Sequence, residues 1–247
     1  MAEWVQGTVV ENIHWTENLF SLRIDAGIDE YKAGQFTSLA LDIDGERIAR
    51  PYSHLSSPGQ RPLEYFFYTA TDGILSNALV KLQSGDKLWL KKQSNGFFVL
   101  DEVPEAKQLW MLGTGTGVAP FFSILHTDEP WHRFETIALV YAVRTQADLR
   151  YLDLIEGLQQ RYGERFRFQA FVSREQVQDT IYGRIPAAIE NESLEQAVEL
   201  PMSVDSSHFM LCGNPDMVKD VTDVLKARGF IKNRRRTPGH ITTENYW

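Results

Sequence analysis

Residues 112–120, LGTGTGVAP, constrain this chain more than any other stretch. An apolar run, residues 108–112, precedes them and reads as a buried strand; residues 121–125, FFSIL, follow and read as the apolar face of a helix. Strand, glycine turn and helix form the geometry that lays a backbone against phosphates at a helix N-terminus. Glycines let the chain approach a ligand where a side chain would block it. Pro120 has no backbone donor to lose if it sits in a first helical turn. The stretch lacks the Gly-Lys-Ser/Thr ending of a triphosphate-binding loop, so a dinucleotide is the better match.

Residues 4 to about 100 read as short strands separated by turns. Phe20, Leu22 and Ile24 alternate with Ser21, Arg23 and Asp25, the pattern of a half-buried strand. Residues 35–41 read as a second strand, closed by the hairpin signal Asp44-Gly45. Residues 63–69 and 87–91 read as two more. This spacing predicts an antiparallel barrel or sandwich. One helix interrupts it after Asp72-Gly73, with Ile74, Leu75, Leu79 and Leu82 on one face. Two pieces could carry chemistry. In Arg50-Pro51-Tyr52-Ser53, arginine offers a fork for phosphate, tyrosine a flat face and serine a small hydrogen-bonding group, a trio suited to a flavin. In residues 73–77, a helix start would turn free N–H groups toward an anion.

After the glycine turn the pattern becomes strand and helix in alternation. Residues 136–143, 166–172 and 208–212 are continuous apolar runs, as expected of parallel strands covered on both faces. Residues 151–162 read as a helix with Leu152, Ile155 and Leu158 on one side. Asn214-Pro215 reads as the cap of another, with Met217, Val218, Val221 and Leu225 inward. The array predicts a doubly wound parallel sheet. The boundary between the two patterns falls in the charged stretch 101–107, giving domains 1–100 and 101–247.

The strand ends of the second domain should meet in a ligand crevice. An acid there would hold a ribose hydroxyl. Instead, Arg144 follows Val143, Arg174 follows Ser173, and Arg184 lies in Tyr182-Gly183-Arg184. Three arginines suit a 2′-phosphate, which implies NADP. Two charge-assisted contacts worth roughly 3 kcal/mol together give about a hundredfold preference. Cys212 ends a buried strand before Gly213; it reads either as a small buried hydrophobe or as a polarizable group beside a nicotinamide.

Other classes fall away. The formal charge of −8 argues against general nucleic-acid binding. No apolar run reaches membrane-spanning length, and the first residues lack signal-peptide regions, so the expected location is cytoplasmic. One cysteine excludes an internal disulfide, and scattered histidines give no metal-ligand spacing.

Taken together, the four motifs resemble the ferredoxin–NADP⁺ reductase family, most closely its bacterial flavodoxin/ferredoxin type. Residues 50–53 look like its R-x-Y-S flavin motif, 73–76 like its G-x-x-S helix motif, 115–120 like its G-T-G-x-A-P motif, and Cys212-Gly213 like its strand-end pair. The resemblance implies an antiparallel β-barrel FAD domain followed by an α/β NADP domain. It implies that Arg50 touches the FAD pyrophosphate, with Pro51 beside it, and that Tyr52 stacks on the isoalloxazine. Ser53 would lie near N5, and Phe67 and Tyr68 along the ring. Ile74, Leu75 and Ser76 would offer backbone and side-chain groups to the phosphates. Thr116 would sit between flavin and nicotinamide. Arg144, Arg174 and Arg184, with Val143 and Ser173, would hold the 2′-phosphate end. The ending Tyr246-Trp247 implies a tyrosine over the flavin and a tryptophan on the adenine of a folded FAD. Glu244 matches an acid near the flavin of plastid members. Ser53, Tyr52, Cys212 and Tyr246 are the groups expected at the reacting rings.

The implied activity is electron transfer between NADPH and ferredoxin or flavodoxin. Such carriers are acidic, and the basic run 226–240 could steer them, with a monomer sufficient. The alternatives are a flavin or quinone reductase of the same superfamily, or an electron-transfer subunit of a larger complex.

Overall fold

A computed structural model describes residues 3–234 and 236–245. It contains two compact units. The first comprises Met1–Leu100 with Ala119–Thr127, and the second Asp101–Val118 with Asp128–Trp247.

The first unit is a curled antiparallel sheet. Its strands are β1 (Trp4–His14), β2 (Leu19–Asp25), β3 (Phe36–Ile43), β4 (Glu46–Ser53), β5 (Leu63–Tyr68) and, after helix α1 (Ile74–Leu79), β6 (Lys87–Lys91). They run in the order β4-β3-β6-β1-β2-β5. Strands β4 and β5 end the ladder, and curling brings them together where Leu55 N–H donates to Glu64 O at 2.9 Å. Phe20, Leu22 and Ile24 are buried as predicted, in one cluster with Leu39, Tyr65, Phe67, Leu79 and Leu90. The alternation fails at Ser21, which is also buried and accepts from Trp15 Nε1–H at 2.8 Å. Pro51 lies on edge strand β4, where a missing donor costs no ladder bond on the open side.

The second unit is a parallel sheet with helices against it. Its strands are β7 (Gln108–Thr114), β8 (Thr136–Val143), β9 (Phe166–Val172), β10 (Thr180–Tyr182), β11 (Ser207–Gly213) and β12 (Ile241–Asn245). Its helices are α3 (Glu129–Arg133), α4 (Leu152–Tyr162), α5 (Ile185–Glu190), α6 (Ser193–Val198) and α7 (Pro215–Ala227). Helix α2 (Ala119–Leu125), which follows the glycine turn, belongs to the first unit, where Ser123 Oγ–H donates to Ser56 O at 2.8 Å. Although it follows residues 101–107 in the chain, α2, with all seven of its residues buried, is grouped by its contacts with the first unit.

The strand order β10-β9-β8-β7-β11-β12 places consecutive strands to one side of β7 and the later pair to the other. The switch therefore falls between β7 and β11, the position where open α/β sheets bind ligands at their carboxyl ends. The glycine turn leaves β7 at that point. Leu152 departs from the predicted helix face: it is exposed at the first turn of α4, and Ile155 and Leu158 alone reach the core.

Candidate functional site

In the first unit, β4 sets out its residues by register. Arg50 lies opposite Leu39, Pro51 opposite Ser38, Tyr52 opposite Thr37 and Ser53 opposite Phe36. Arg50 is exposed, its Nη1–H donates to the neighbouring Ala49 O at 2.7 Å, and among the described residues it pairs with no acid. Tyr52 meets Phe67 edge to face at 5.5 Å between centroids, which joins the two ends of the curled sheet at the expected aromatic pair. Burial pushes the Tyr52 hydroxyl up to about 12, and nearby Arg50 opposes this. Ser53 and Phe67 are buried, and Tyr68 is half-buried at the end of β5.

Helix α1 starts at Gly73 with no side-chain cap and no acid in its first turn. Its first amides are thus left without helical acceptors. Two expectations there need correction. Ile74 is 63% exposed rather than part of the apolar face, because it stands at the open start of the helix. Ser76 Oγ accepts from Ala70 N–H at 3.2 Å and donates to Gly73 O at 3.3 Å, so that side chain closes the 70–76 turn and does not face outward. Leu75 is buried.

The far end of α1 is held by a residue that pattern reading does not pick out. Asn12 Nδ2 on β1 reaches the carbonyls of Leu79, Val80 and Leu82 at 3.2, 3.2 and 2.9 Å. Helix C-termini leave carbonyls in need of such donors, and of these three Leu79 O also accepts from Leu82 N–H at 3.1 Å. No local signal announces Asn12, since its partners lie 67 to 70 residues away.

In the second unit the glycine turn is a one-turn helix, residues 115–118, in which Thr116, Gly117 and Val118 are buried. Gly117 is required by packing: a Cβ there would lie 2.6 Å from Gly213 Cα and 2.8 Å from Cys212 O. Gly213 has φ +134° and would meet Thr114 Oγ1 at 2.1 Å. Thr114 Oγ1 accepts from Asn214 N–H at 2.9 Å. The ends of β7 and β11 thus touch backbone to backbone, and Gly117 of the glycine turn lies against Cys212 and Gly213.

Cys212 is fully buried and in register with Glu244 of β12. Burial first, and then the Glu244 charge, push the thiol well above its ordinary value, so it is no nucleophile at neutral pH. Burial pushes Glu244 up to about 7, and its buried Oε2 has no hydrogen-bond partner. Tyr246 and Trp247 lie outside the described residues.

Along the same sheet edge stand the three arginines. Arg144 follows β8, Arg174 follows Ser173 at the end of β9, and Arg184 follows β10 by one residue. These strands are adjacent, about 4.8 Å apart, so the arginines line one rim. All three are exposed, and no ion pair joins any of them to an acid among the described residues. Tyr182, 59% exposed, presents a free ring between Arg174 and Arg184 in sequence. It opens the Tyr182-Gly183-Arg184 triplet, but nothing in the local pattern marks its ring as exposed.

The basic run is smaller than its sequence suggests. Lys226 pairs with Asp223 at 3.7 Å, and Arg228 makes a two-pronged pair with Glu195 at 2.6 and 3.1 Å. Arg228 thereby ties α7 to α6 and is structural. Lys232, Arg234 and Arg236 are exposed and have no ion-pair partner among the described residues. No group of metal-ligating side chains occurs among the described residues, and no helix is long and apolar enough to cross a membrane.

Comparison with known proteins agrees with this division. Residues 7–97 match the oxidoreductase FAD-binding domain model, and residues 111–223 the oxidoreductase NAD-binding domain model. The chain is 48% identical to the flavodoxin/ferredoxin–NADP reductase of Escherichia coli K12 over the full length of both, and equally to that of Shigella flexneri. Among solved structures it is similar to a ferredoxin NADP⁺ reductase from Neisseria gonorrhoeae with bound FAD and NADP. That match has a TM-score of 0.93 and 35% identity, and covers 99% of each chain.

Proposed function

This chain belongs to the flavodoxin/ferredoxin–NADP reductases, FAD-dependent oxidoreductases that pass electrons between NADPH and a one-electron carrier, and from that premise we propose how its own residues divide the work. Residues 1–100 hold FAD and residues 101–247 hold NADPH. The observation that carries the reading is the sheet edge of the second unit: a glycine turn at the switch point, and three exposed arginines just past the ends of β8, β9 and β10 that pair with no acid among the described residues.

The donor set of the first unit fits FAD. Arg50 supplies an unspent cation for the pyrophosphate, with Pro51 alongside, and the backbone amides of Ile74, Leu75 and Ser76 add donors. Tyr52, Phe67 and Tyr68 supply flat surfaces for a tricyclic ring, and Ser53 a hydroxyl at its edge.

NADPH binds with its 2′-phosphate on Arg144, Arg174 and Arg184, its pyrophosphate along the glycine turn and its nicotinamide near Thr116 and Cys212. Val143 and Ser173 supply backbone at the phosphate end. When bound in the first unit, FAD would supply the hydride-accepting and one-electron chemistry, and the chain's own residues supply orientation and exclusion of water. Thr116 and Cys212, both buried, hold the nicotinamide end in a fixed, dry position. No acid or base from the chain is needed for hydride transfer itself. The carrier docks through the exposed turn containing Lys232, Arg234 and Arg236, and the protein acts as a cytoplasmic monomer.

The test is steady-state turnover of Arg144→Ala and Arg174→Ala with NADPH and NADH. The expected result is a rise of about tenfold or more in KM for NADPH for each variant, with NADH little changed. An unchanged NADPH KM overturns the phosphate assignment.

A further inference from the structure

The ends of β8 and β9 are laced together. Arg174 N–H donates to Arg144 O at 3.0 Å, and Ser173 N–H to Val143 O at 3.1 Å. Ser173 Oγ–H reaches the same Val143 oxygen at 3.3 Å. The two arginines therefore leave the sheet side by side, from backbones that are hydrogen-bonded to each other.

Beyond Arg144 the chain makes a one-turn helix, residues 146–148, and this turn is closed from within. Thr145 N–H and Oγ–H both donate to Asp148 Oδ2, at 3.2 and 2.8 Å. Asp148 N–H donates to Thr145 O at 3.0 Å. The amide of Gln146 points away from this closure, since the first amides of a helix have no partner inside it. It donates to Glu175 Oε1. Glu175 is the residue after Arg174, so one side chain from the β9 loop holds the turn that carries Arg144.

A carboxylate is a costly choice at this rim. It stands beside the arginines that would bind a phosphate, and like charges repel. Nothing in the packing demands an acid, because Glu175 is exposed. Among the described residues, its one hydrogen-bond partner is the Gln146 amide. A charge-assisted bond to a helix-start amide is stronger than a neutral one, which offsets the repulsion.

We propose that Glu175 is a positioning residue for NADPH selectivity: it fixes the 145–148 turn so that Arg144 and Arg174 meet one phosphate as a preformed pair. It touches no substrate. Preorganisation of this kind raises affinity by removing the ordering cost at the moment of binding. The inference rests on the phosphate reading of the arginine rim.

Two substitutions separate positioning from charge. Glu175→Gln keeps an oxygen acceptor for Gln146 N–H and removes the negative charge; Glu175→Ala removes both. The flavoprotein of each variant is titrated with 2′,5′-ADP by calorimetry, and turnover is measured with NADPH and NADH. For Glu175→Ala, the expected result is about five- to twentyfold weaker 2′,5′-ADP binding, the loss of one charge-assisted hydrogen bond. KM for NADPH rises in step, while NADH turnover and Tm stay as in the wild type. Glu175→Gln binds 2′,5′-ADP as tightly as the wild type or more tightly. If Glu175→Ala binds equally well or better, Glu175 only repels and the proposal falls. It also falls if the glutamine variant is damaged as much as the alanine variant. Arg144→Ala serves as the control: if it too leaves 2′,5′-ADP binding unchanged, the rim reading has failed along with the proposal. If it alone weakens binding, only the positioning role has failed.

Discussion

Cys212 and Glu244 face each other in register on adjacent parallel strands, at the carboxyl edge of the sheet and one strand from the glycine turn. The carboxyl has an oxygen without a hydrogen-bond partner among the described residues, and burial raises its pKa to about 7, so its charge changes around neutral pH. The thiol opposite stays protonated there.

This pairing bears on which nicotinamide form is favoured. The ring of NADP⁺ is cationic and that of NADPH is neutral, so an ionised Glu244 favours the oxidised form. With a folded pKa of about 7, the carboxylate is lost as pH falls below neutrality. The ratio of NADP⁺ to NADPH affinity should therefore drop between pH 8 and pH 6. In Glu244→Gln it should stay flat. Taking the ratio cancels titration of the 2′-phosphate, which both nucleotides share. Equal pH dependence in the two proteins would remove Glu244 from this role.

Gly117 is the second sensitive point. A methyl group there would press on the backbone of Cys212 and Gly213, which cannot rotate away as a side chain can. Gly117→Ala should cost about 1–3 kcal/mol, the range for overpacking a close-packed site. Because the strain falls on the strand end that positions Cys212, weaker NADPH binding should accompany the lower Tm. A variant with wild-type Tm and KM would show that the two strand ends have room to part.

Asn12 offers a test of how the FAD helix is held. Asn12→Ala removes the side-chain donor from all three carbonyls; Leu79 O keeps its bond from Leu82 N–H, so the cost, about 1–3 kcal/mol if they stay dry, falls on Val80 O and Leu82 O. Asn12→Asp should be worse, because a carboxylate would face those oxygens. The checking measurement is the FAD dissociation constant beside the denaturant midpoint. Loss of FAD affinity in the order wild type, alanine, aspartate is expected.

Much of this was legible beforehand, and the exceptions share a cause. Apolar runs such as residues 136–143 declare buried parallel strands because both faces are covered. The glycine turn, the R-x-Y-S stretch and the strand-end arginines are local patterns, and the structure keeps Arg144, Arg174 and Arg184 on adjacent strands. What could not be read are pairings between distant residues. Arg228 looks like one cation in a basic run until Glu195, 33 residues away, is seen to grip it. Ser76 looks available until Ala70 and Gly73 take its hydroxyl. Short β12 and β10 carry too little pattern to stand out, yet they place Glu244 and frame Arg184.

His54 gives a stability prediction with a definite sign. It is fully buried, stacked on Tyr31 at 3.9 Å between centroids and bonded through Nε2 to Ser94 Oγ at 2.9 Å. Burial, with Arg61 adding to it, holds its pKa near 3, below the ordinary 6.5. The fold therefore excludes a proton that the unfolded chain accepts, and stability is lost as pH falls from about 6.5 toward 3. His208, held near 4 mainly by burial, acts in the same direction, and Glu244 in the opposite one between about 7 and 4.5. In His54→Gln both remain. The stability gap between wild type and variant should accordingly shrink by about 1.4 kcal/mol per pH unit between pH 6 and pH 4. Denaturant midpoints at pH 7, 6, 5 and 4 measure it; a constant gap would mean that His54 protonates without unfolding.

The exposed basic turn supplies the last prediction. Arg234 and Thr237 close it with paired backbone bonds of 3.0 and 2.8 Å. Asn233 anchors it through Glu102 O at 2.7 Å and Thr242 Oγ1 at 3.2 Å. Lys232, Arg234 and Arg236 are thus held out on a fixed base, which suits an acidic carrier meeting an otherwise acidic protein. Replacing the three by glutamine should raise KM for flavodoxin about tenfold at low salt and leave KM for NADPH unchanged. Screening within a Debye length of about 10 Å at 0.1 M should erase most of the difference as salt is added. A control at Lys226, whose charge Asp223 already neutralises, should do little. If the triple variant and wild type share one salt dependence, the carrier meets the enzyme elsewhere.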